Sequence, residues 1–212
     1  MKYFSMIALF IFLSCSNKED ILLPKGNTTI VKEVDDLSPV YIFFRVNGND
    51  TLAEVNRKNS IISTNWILNI DKRLPLRIAI PEIMKLQHKK REEKAHKNEK
   101  AENYYSYADT VGKNLAFIAF TNVFYSLEKP RSGKVVFFTK NNEILVDNVR
   151  VKKEQLQTYF NTLPIDTLNK FVFCFEKEMS FGTYIQNKIL INSIKFSKPK
   201  PELIVFDQEF VY

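Results

Sequence analysis

Two segments of this chain show the same order of residue types, and this agreement limits the folds that the chain can adopt. Trp66–Leu76 and Phe171–Phe181 align without a gap: each has an apolar run, an acid, a lysine, a second charge and a turn residue between apolar side chains. A short apolar run that ends in a turn is typical of a buried strand. Ile42–Gly48 and Val136–Asn142 extend the likeness, since each is a strand-like run before a turn. Two explanations stay open: a degenerate duplication, or hairpins of similar composition.

The hydrophobic pattern predicts an α+β fold made of two small sheet-plus-helix halves, residues 40–130 and 131–212. Apolar residues at helical spacing predict helices over Lys152–Thr162 and Phe181–Ile194. Runs of β-branched and aromatic residues between turn residues predict strands. These strands are Val40–Val46, Thr51–Val55, Trp66–Ile70, Lys134–Thr139, Glu143–Val146, Phe171–Phe175 and Leu203–Phe206.

The highly charged segment 82–103 predicts a long surface helix in the first half. It consists of strong helix formers and follows Pro81, whose fixed φ suits the first turn of a helix. Beyond Leu86 only alanines could face a core, so we expect this helix to be largely solvated. The next segment, from Tyr104 to Glu128, fits both strand and helix spacing, and a helix from about Tyr105 is the preferred prediction.

Composition restricts the classes of function. With 212 residues and 45% hydrophobic side chains, the chain has enough apolar material for a packed core. It has 5 glycines and contains neither GxxxxGK[ST] nor GxGxxG, so we expect no nucleotide cofactor. The formal net charge is +7, but the lysines are spread along the chain, which favours a solvated surface over a nucleic-acid partner.

The N-terminus predicts a lipid anchor. Lys2 precedes a short apolar run that ends in Ser14 and Cys15, and such a run is typical of a cleaved signal peptide because it is too short to span a bilayer. A cysteine in this place resembles the processing site of bacterial lipoproteins, although Phe12 and Leu13 are bulkier than the strict pattern. Ser16–Asp20 resembles the surface-export signal of Bacteroidetes-type lipoproteins. The resemblance implies a signal peptide over 1–14, acyl chains such as palmitate on Cys15, a flexible tether over 15–39, and a place on the outer membrane at the cell surface or the periplasmic face. The alternative is a cleaved secretory signal with a chance cysteine.

The second half resembles the periplasmic domain of the ExbD/TolR family of biopolymer transport proteins. The resemblance rests on the strands Val135–Phe138, Glu143–Val146 and Phe171–Phe175, on Glu176-Lys177 after the last of them, and on Phe181–Ile185 at the start of a helix. It implies a related fold and a cell-envelope context. Family members carry a membrane-spanning helix with a proton-handling aspartate before this domain, whereas this chain has Cys15 there, so no proton-motive role is carried over.

Two constellations could carry chemistry, and neither predicts a catalytic or metal site. His88, Glu92 and His96 recur on one helical face, but they lie among lysines, which favours a solvated helix over a zinc site. Asp71 and Glu176 occupy equivalent places in the two similar segments, and they are expected to be turn residues rather than an acid and a base.

Cys174 lies in the apolar run Phe171–Phe175 and is expected to be a buried small hydrophobe rather than a nucleophile. If Cys15 carries lipid, Cys174 is left without an internal disulfide partner.

Three Asp-Thr-aliphatic triplets suggest modification. Thr51, Thr110 and Thr167 each follow an aspartate, as in the O-glycosylation acceptor of Bacteroidetes-type exported proteins. A sugar requires each threonine to be exposed. The alternative is that Asp-Thr starts strands and helices, where both residues cap well.

These observations favour a non-enzymatic, lipid-anchored envelope protein that acts as a binding or accessory module and is linked to envelope transport. Its expected partners are the membrane, through the anchor, and envelope proteins. Two alternatives remain: a surface hydrolase acting on glycan or peptidoglycan, and an inhibitor or immunity-type lipoprotein.

Overall fold

The part of the chain that the structure describes folds into two mixed β-sheets with three helices, an α+β fold with two sheet halves as the sequence predicts. The structure, a computed structural model, describes residues 20–95, 97–162, 171–195 and 204–212. The first sheet contains β1 (Lys25–Gly26), β2 (Leu37–Asn47), β3 (Asp50–Asn56), β4 (Asn65–Ile70), β5 (Asn103–Asp109) and β6 (Asn114–Ala119). The second contains β7 (Phe124–Ser126), β8 (Lys134–Phe138), β9 (Ile144–Val146), β10 (Val149–Val151), β11 (Phe171–Phe175) and β12 (Ile204–Val211). The helices are α1 (Leu76–Glu92), α2 (Lys153–Thr162) and α3 (Phe181–Ser193). None of the helices in the described residues combines the length and the apolar character that crossing a bilayer requires.

The two sheets share the order of four strands. These are β3-β2-β4-β5 in the first sheet and β9-β8-β11-β12 in the second; β1 and β6 pair with β5, β7 pairs with β12, and β10 pairs with β9. In each, an antiparallel hairpin pairs in parallel with the strand before a helix, and the strand after that helix pairs on its other side. Ile42 faces Ile70 as Phe138 faces Phe175. The hairpins therefore correspond with Ile42 opposite Phe138, two residues away from the alignment that the sequence suggests.

The similar segments meet at the centre of the molecule. We call the turn Asp71–Pro75, between β4 and α1, the first corner, and the turn Glu176–Ser180, between β11 and α3, the second corner. Pro75 and Ser180 face each other across an isolated bridge. Backbone N–H groups of each corner and helix start donate to carbonyls of the other in matched pairs, as expected for an approximate two-fold arrangement. The donors and acceptors are Leu76 to Met179 (2.9 Å), Phe181 to Leu74 (2.7 Å), Arg77 to Lys177 (2.8 Å) and Gly182 to Lys72 (2.9 Å).

The larger of two hydrophobic clusters in the described residues unites the two halves. Its buried side chains come from both sheets and all three helices, among them Trp66, Ile83, Leu156 and Phe175. Each fully buried apolar side chain of this size stabilises the fold by about 1.5–3 kcal/mol. The predicted boundary at residue 130 is too late, because β7 already belongs to the second sheet.

The predicted helix over 82–103 is wrong at both ends. The observed helix begins at Leu76, so Pro81 lies inside it, and it ends at Glu92. An internal proline costs about 3 kcal/mol, but burial of apolar side chains such as Ile80 and Ile83 offsets this. Beyond Glu92 the segment has no comparable apolar face, and helix-surface charge pairs contribute only about 0.2–0.5 kcal/mol each. The helix is therefore a packed element with an exposed charged side.

The predicted helix from Tyr105 is also wrong, since the segment forms β5, β6 and β7. β5 lies inside the first sheet, with β4 and β1 along one edge and β6 along the other. Tyr105 and Tyr107 are fully buried there. A strand buried on both faces loses the alternating pattern that distinguishes it from a helix, which explains the error.

The predicted tether over 15–39 is too long. Leu22 accepts a backbone hydrogen bond from Lys72 (2.7 Å), and β1 pairs in parallel with β5. Val31 forms an isolated bridge with Phe117, and β2 begins at Leu37. The segment from Leu22 onward is therefore part of the folded body; its strand is too short to give a sequence pattern.

Candidate functional site

A polar cleft lies between β1 and α3 and is the best candidate for a binding site among the described residues. Its volume is about 620 Å³. β1 and the two residues after it form one wall, and a stripe along α3 forms the other. Thr110, in the turn after β5, and Lys153, the first residue of α2, complete the lining. We call it the β1–α3 cleft.

Helical spacing accounts for the α3 wall. Gln186, Ile189, Leu190 and Ser193 lie at i, i+3, i+4 and i+7, so they share one face of the helix. Ile189 is buried, whereas Gln186 and Ser193 are exposed. The helix is fixed at its start by Ser180, whose hydroxyl accepts a hydrogen bond from the backbone N–H of Thr183 (3.2 Å). The face therefore offers an apolar floor with polar edges.

Gly26 allows the two walls to approach each other. A Cβ atom at this position would lie 2.4 Å from Cδ1 of Ile189 and 2.9 Å from Cε2 of Tyr107. Thr110 donates to the Gly26 carbonyl from both its backbone N–H and its hydroxyl, each at 2.9 Å. Any larger residue at position 26 would push β1 away from the helix and change the shape of the cleft.

The loop after β1 is held by the buried strand beneath it. The hydroxyl of Tyr107 donates to the carbonyl of Thr28 (2.6 Å) and accepts from the N–H of Ile30 (3.0 Å). The amide of Gln186 donates to the carbonyl of Lys25 across the cleft (3.4 Å). Both walls of the cleft are thus fixed by hydrogen bonds.

The cleft is electrostatically positive. Lys25 and Lys153 line it, and no carboxylate is among the lining residues. Within the described part of the chain, neither lysine forms an ion pair. The ammonium of Lys153 donates to Oδ1 of Asn142, and burial lowers the pKa of Lys153, an effect that the nearby Glu154 opposes. Two ammonium groups beside hydroxyl and amide groups can bind an anionic, hydrogen-bonding ligand.

The structure places Thr110 at this cleft, with an exposed side chain. Thr51 lies elsewhere, half-buried in β3 opposite Val46. Thr167 and Cys15 lie outside the described residues. The two predicted modification sites that the structure describes, Thr51 and Thr110, are therefore not brought together.

Asp71 and Glu176 stand in equivalent corners but have different partners. The buried carboxylate of Asp71 accepts hydrogen bonds from Nε (2.9 Å) and Nη2 (2.7 Å) of Arg73 and from the N–H of Leu22 (3.3 Å). Burial raises the pKa of Asp71, but these hydrogen bonds outweigh it and hold the pKa below its usual value. Glu176 instead accepts from the N–H of Lys140 (2.7 Å). In the described residues no hydrogen bond joins the two carboxylates.

The remaining predicted candidates are dispersed. His88 and Glu92 are exposed on α1, and His96 lies outside the described residues. Nowhere in the described ranges do three or more His, Cys, Asp or Glu side chains form a group that could hold a metal ion. Cys174 is fully buried, and burial raises the pKa of its thiol to about 12, so the thiol stays protonated at neutral pH.

Sequence reasoning missed a buried polar network beside the core. Lys188 of α3 pairs with Oε1 of Glu209 in β12, and the Tyr184 hydroxyl donates to Oε2 of the same carboxylate (2.6 Å). Hydrogen bonds continue from Tyr184 to Tyr125 (3.1 Å) and from Tyr125 to Tyr105 (2.6 Å). Burial raises the pKa of all three tyrosines, so they are neutral hydrogen-bonding groups. The network joins β5, β7, α3 and β12.

The β1–α3 cleft was missed as well, because Lys25 lies in the predicted tether and its opposite wall is remote in sequence. The spacing of Gln186 and Ser193 on α3 was the available signal. No protein-family model, curated protein or solved structure matches this chain.

Proposed function

We propose that this chain is a non-enzymatic, lipid-anchored binding protein of the bacterial cell envelope, and that the β1–α3 cleft holds its ligand. The observation that carries the binding role is the pair of lysines, Lys25 and Lys153, in a cleft with no carboxylate in its lining. The resemblance of residues 131–212 to the ExbD/TolR periplasmic domain supports an envelope context and an accessory role in envelope transport.

The order of the N-terminal residues supports the anchor. Lys2, the apolar run after it and Cys15 resemble a lipoprotein start, and several acyl chains hold a protein firmly where one chain does not. The chain from Cys15 to Leu22, where packing against the first corner begins, spans at most about 25 Å when fully extended. Lipid on Cys15 would therefore keep the folded body close to the membrane surface.

The surroundings of Asp71 and Glu176 support a binding role over hydrolysis. A glycan hydrolase of the usual kind uses two carboxylates on either side of the bond to be cleaved. Here the carboxylate of Asp71 is hydrogen-bonded to the guanidinium of Arg73, and that of Glu176 to the backbone N–H of Lys140. Cys174 is buried and protonated, which does not suit a nucleophile.

The anchor is tested by metabolic labelling with palmitate. We expect the wild-type protein to be labelled and to fractionate with the outer membrane, and Cys15→Ala to lose both properties. Cys174→Ala is the matched control, since it removes the other cysteine and should keep the label. Undiminished labelling of Cys15→Ala would refute the anchor.

The binding role is tested by blocking the cleft. Gln186→Trp fills it from α3, whereas Asn192→Trp adds the same ring to an exposed position of α3 outside the lining. We expect a component of envelope extract that the wild-type protein retains to be lost only from Gln186→Trp. Release of new reducing ends from glycan or peptidoglycan fragments by the purified protein would instead favour the hydrolase.

A further inference from the structure

We propose that the ligand of the β1–α3 cleft is a small anionic molecule rich in hydroxyl groups, of the class of acidic saccharides, with Lys25 and Lys153 binding its anionic group. This inference rests on the proposed function, because it names the ligand class of the same site. It is carried by the charge, the polar groups and the size of the cleft.

The charge of the lining selects an anion. Lys25 is exposed at one side and has no partner carboxylate in the described residues, so its ammonium is available. Lys153 lies on another side and uses one N–H for Asn142, which leaves two donors. No acid is among the lining residues, and Glu154, the carboxylate near Lys153, lies outside the lining.

The remaining polar groups match hydroxyls. Asn27, Thr28, Gln186 and Ser193 place amide and hydroxyl groups around the cleft. The hydroxyls of Thr28 and Ser193 already donate within the protein, so they offer acceptor oxygens to sugar hydroxyls, whereas the amides of Asn27 and Gln186 keep N–H donors as well. Ile189 and Leu190 supply an apolar surface for the C–H groups of a ring. No aromatic residue lines the cleft, so it offers no stacking surface for a nucleobase.

The size of the cleft agrees with a molecule larger than a simple ion. Its volume of about 620 Å³ lies within the range of about 300–1,000 Å³ found for small-molecule sites. An isolated phosphate would leave most of the polar lining unused. Because the hydrogen bonds of Tyr107 and Thr110 fix the β1 wall in advance, binding orders few additional groups.

The ligand class is tested by calorimetric titration of the full mature lipoprotein in detergent micelles. The probes are glucuronate, glucose 6-phosphate, neutral glucose and inorganic phosphate. We expect at least one acidic sugar to bind ten times or more tightly than both glucose and inorganic phosphate. Equal binding of glucose overturns the anionic requirement, and equal binding of inorganic phosphate overturns the hydroxyl requirement.

Lysine variants locate the bound anion. Lys25→Gln and Lys153→Gln should each weaken binding of the acidic sugar tenfold or more, while Lys58→Gln, at an exposed turn outside the cleft, should bind like the wild type. Unchanged melting temperatures verify that the variants are folded. If neither lysine variant differs from Lys58→Gln, the assignment is wrong.

The same titration separates this inference from the proposed function. If no probe binds but Gln186→Trp still loses the retained envelope component, the ligand class is wrong and the binding role stands. If the wild-type protein retains no component that Gln186→Trp loses and no probe binds, both proposals fail.

Discussion

The two corners have matching backbones but different polar partners. The first corner encloses Asp71, whose side chain is 1% exposed and is held by Arg73 and the N–H of Leu22. The second corner presents Glu176, whose side chain is 25% exposed and caps the N–H of Lys140 in the hairpin turn between β8 and β9. The first corner thus fastens the N-terminal segment to the body, and the second fastens a hairpin. Shared backbone geometry fixes where an acid stands, and the local partners decide what it does.

The helices that follow the corners differ in the same way. Each buries one lysine against the strand that follows it: Lys90 of α1 donates to the carbonyls of Thr64 (2.9 Å) and Glu102 (3.0 Å) and to Oδ1 of Asn103 (3.0 Å). Lys188 of α3 pairs with the carboxylate of Glu209. Neutral acceptors do not compensate a buried charge as a carboxylate does, and burial lowers the pKa of Lys90 to about 8.

Removing one lysine at a time should give the largest effect. Lys188→Met leaves the carboxylate of Glu209 buried without its cation, and we expect a loss of about 3–5 kcal/mol in the free energy of unfolding. Lys90→Met leaves only neutral acceptors unpaired and should cost about 1–3 kcal/mol. Urea denaturation of the two variants measures the difference, and a smaller loss for Lys188→Met would contradict the contrast between the helices.

The corners themselves should respond unequally. Asp71→Ala removes a buried carboxylate and leaves Arg73 and the N–H of Leu22 without their acceptor, so we expect a loss of about 2–3 kcal/mol. Glu176→Ala removes a partly solvated cap and should cost less than about 1 kcal/mol. Equal losses in thermal or urea unfolding would show that the partners of Asp71 add nothing to the corner.

The lowered pKa of Lys90 predicts a pH effect with a definite sign. Between about pH 8 and 10.5 the unfolded state binds more protons at this lysine than the folded state, so its contribution to stability rises with pH. We expect a rise of about 1–2 kcal/mol between pH 8 and 9.5, the part of this window below the titration of the tyrosines.

The check is a comparison of unfolding free energies with Lys90→Met from pH 8 to 9.5, below the titration of the tyrosines. The wild-type curve should rise relative to that of the variant. Parallel curves would mean that Lys90 keeps an ordinary pKa.

The helix starts should give the smallest effect. Ser180→Ala removes the hydroxyl that accepts from the N–H of Thr183 and should cost about 1 kcal/mol. Pro75 occupies the same place before α1 and provides no side-chain cap, so Pro75→Ser is the matched variant and should not show the same loss. Thermal unfolding measures both variants. An unchanged melting temperature of Ser180→Ala would show that the hydrogen bonds between the two corners position α3 without the cap.

Local patterns predicted the elements whose buried residues form one regular spacing or one continuous apolar run. α3 and β11 follow directly from the apolar spacing of Phe181–Ile194 and from the run Phe171–Phe175. The similarity of the corners was visible because charge, turn residue and apolar run recur in one order. The hairpin alignment was wrong by two residues because the Phe-rich runs around Ile42 and Phe138 fit in more than one register.

The other features depend on contacts that are distant in sequence. The start of α1 was predicted too late because Pro81 is typical of a first turn. Its place inside the helix depends on the burial of residues such as Ile80 and Ile83. β1 is a strand because it pairs with β5, which is remote in sequence. Lys25 lines a cleft because α3, also remote in sequence, forms the opposite wall. Glu209 of β12 forms an ion pair with Lys188 of α3, and sequence spacing does not predict a pair between separate elements.

The hydrogen bonds around the bridge between Pro75 and Ser180 make the two halves mutually dependent. Each supplies amide and carbonyl groups that the other needs at its own helix start, so a fragment cut from either side would expose unsatisfied backbone along with its share of the core. The protein should therefore melt as a single cooperative unit, and a gene split between the halves should yield pieces that are stable only when they reassemble.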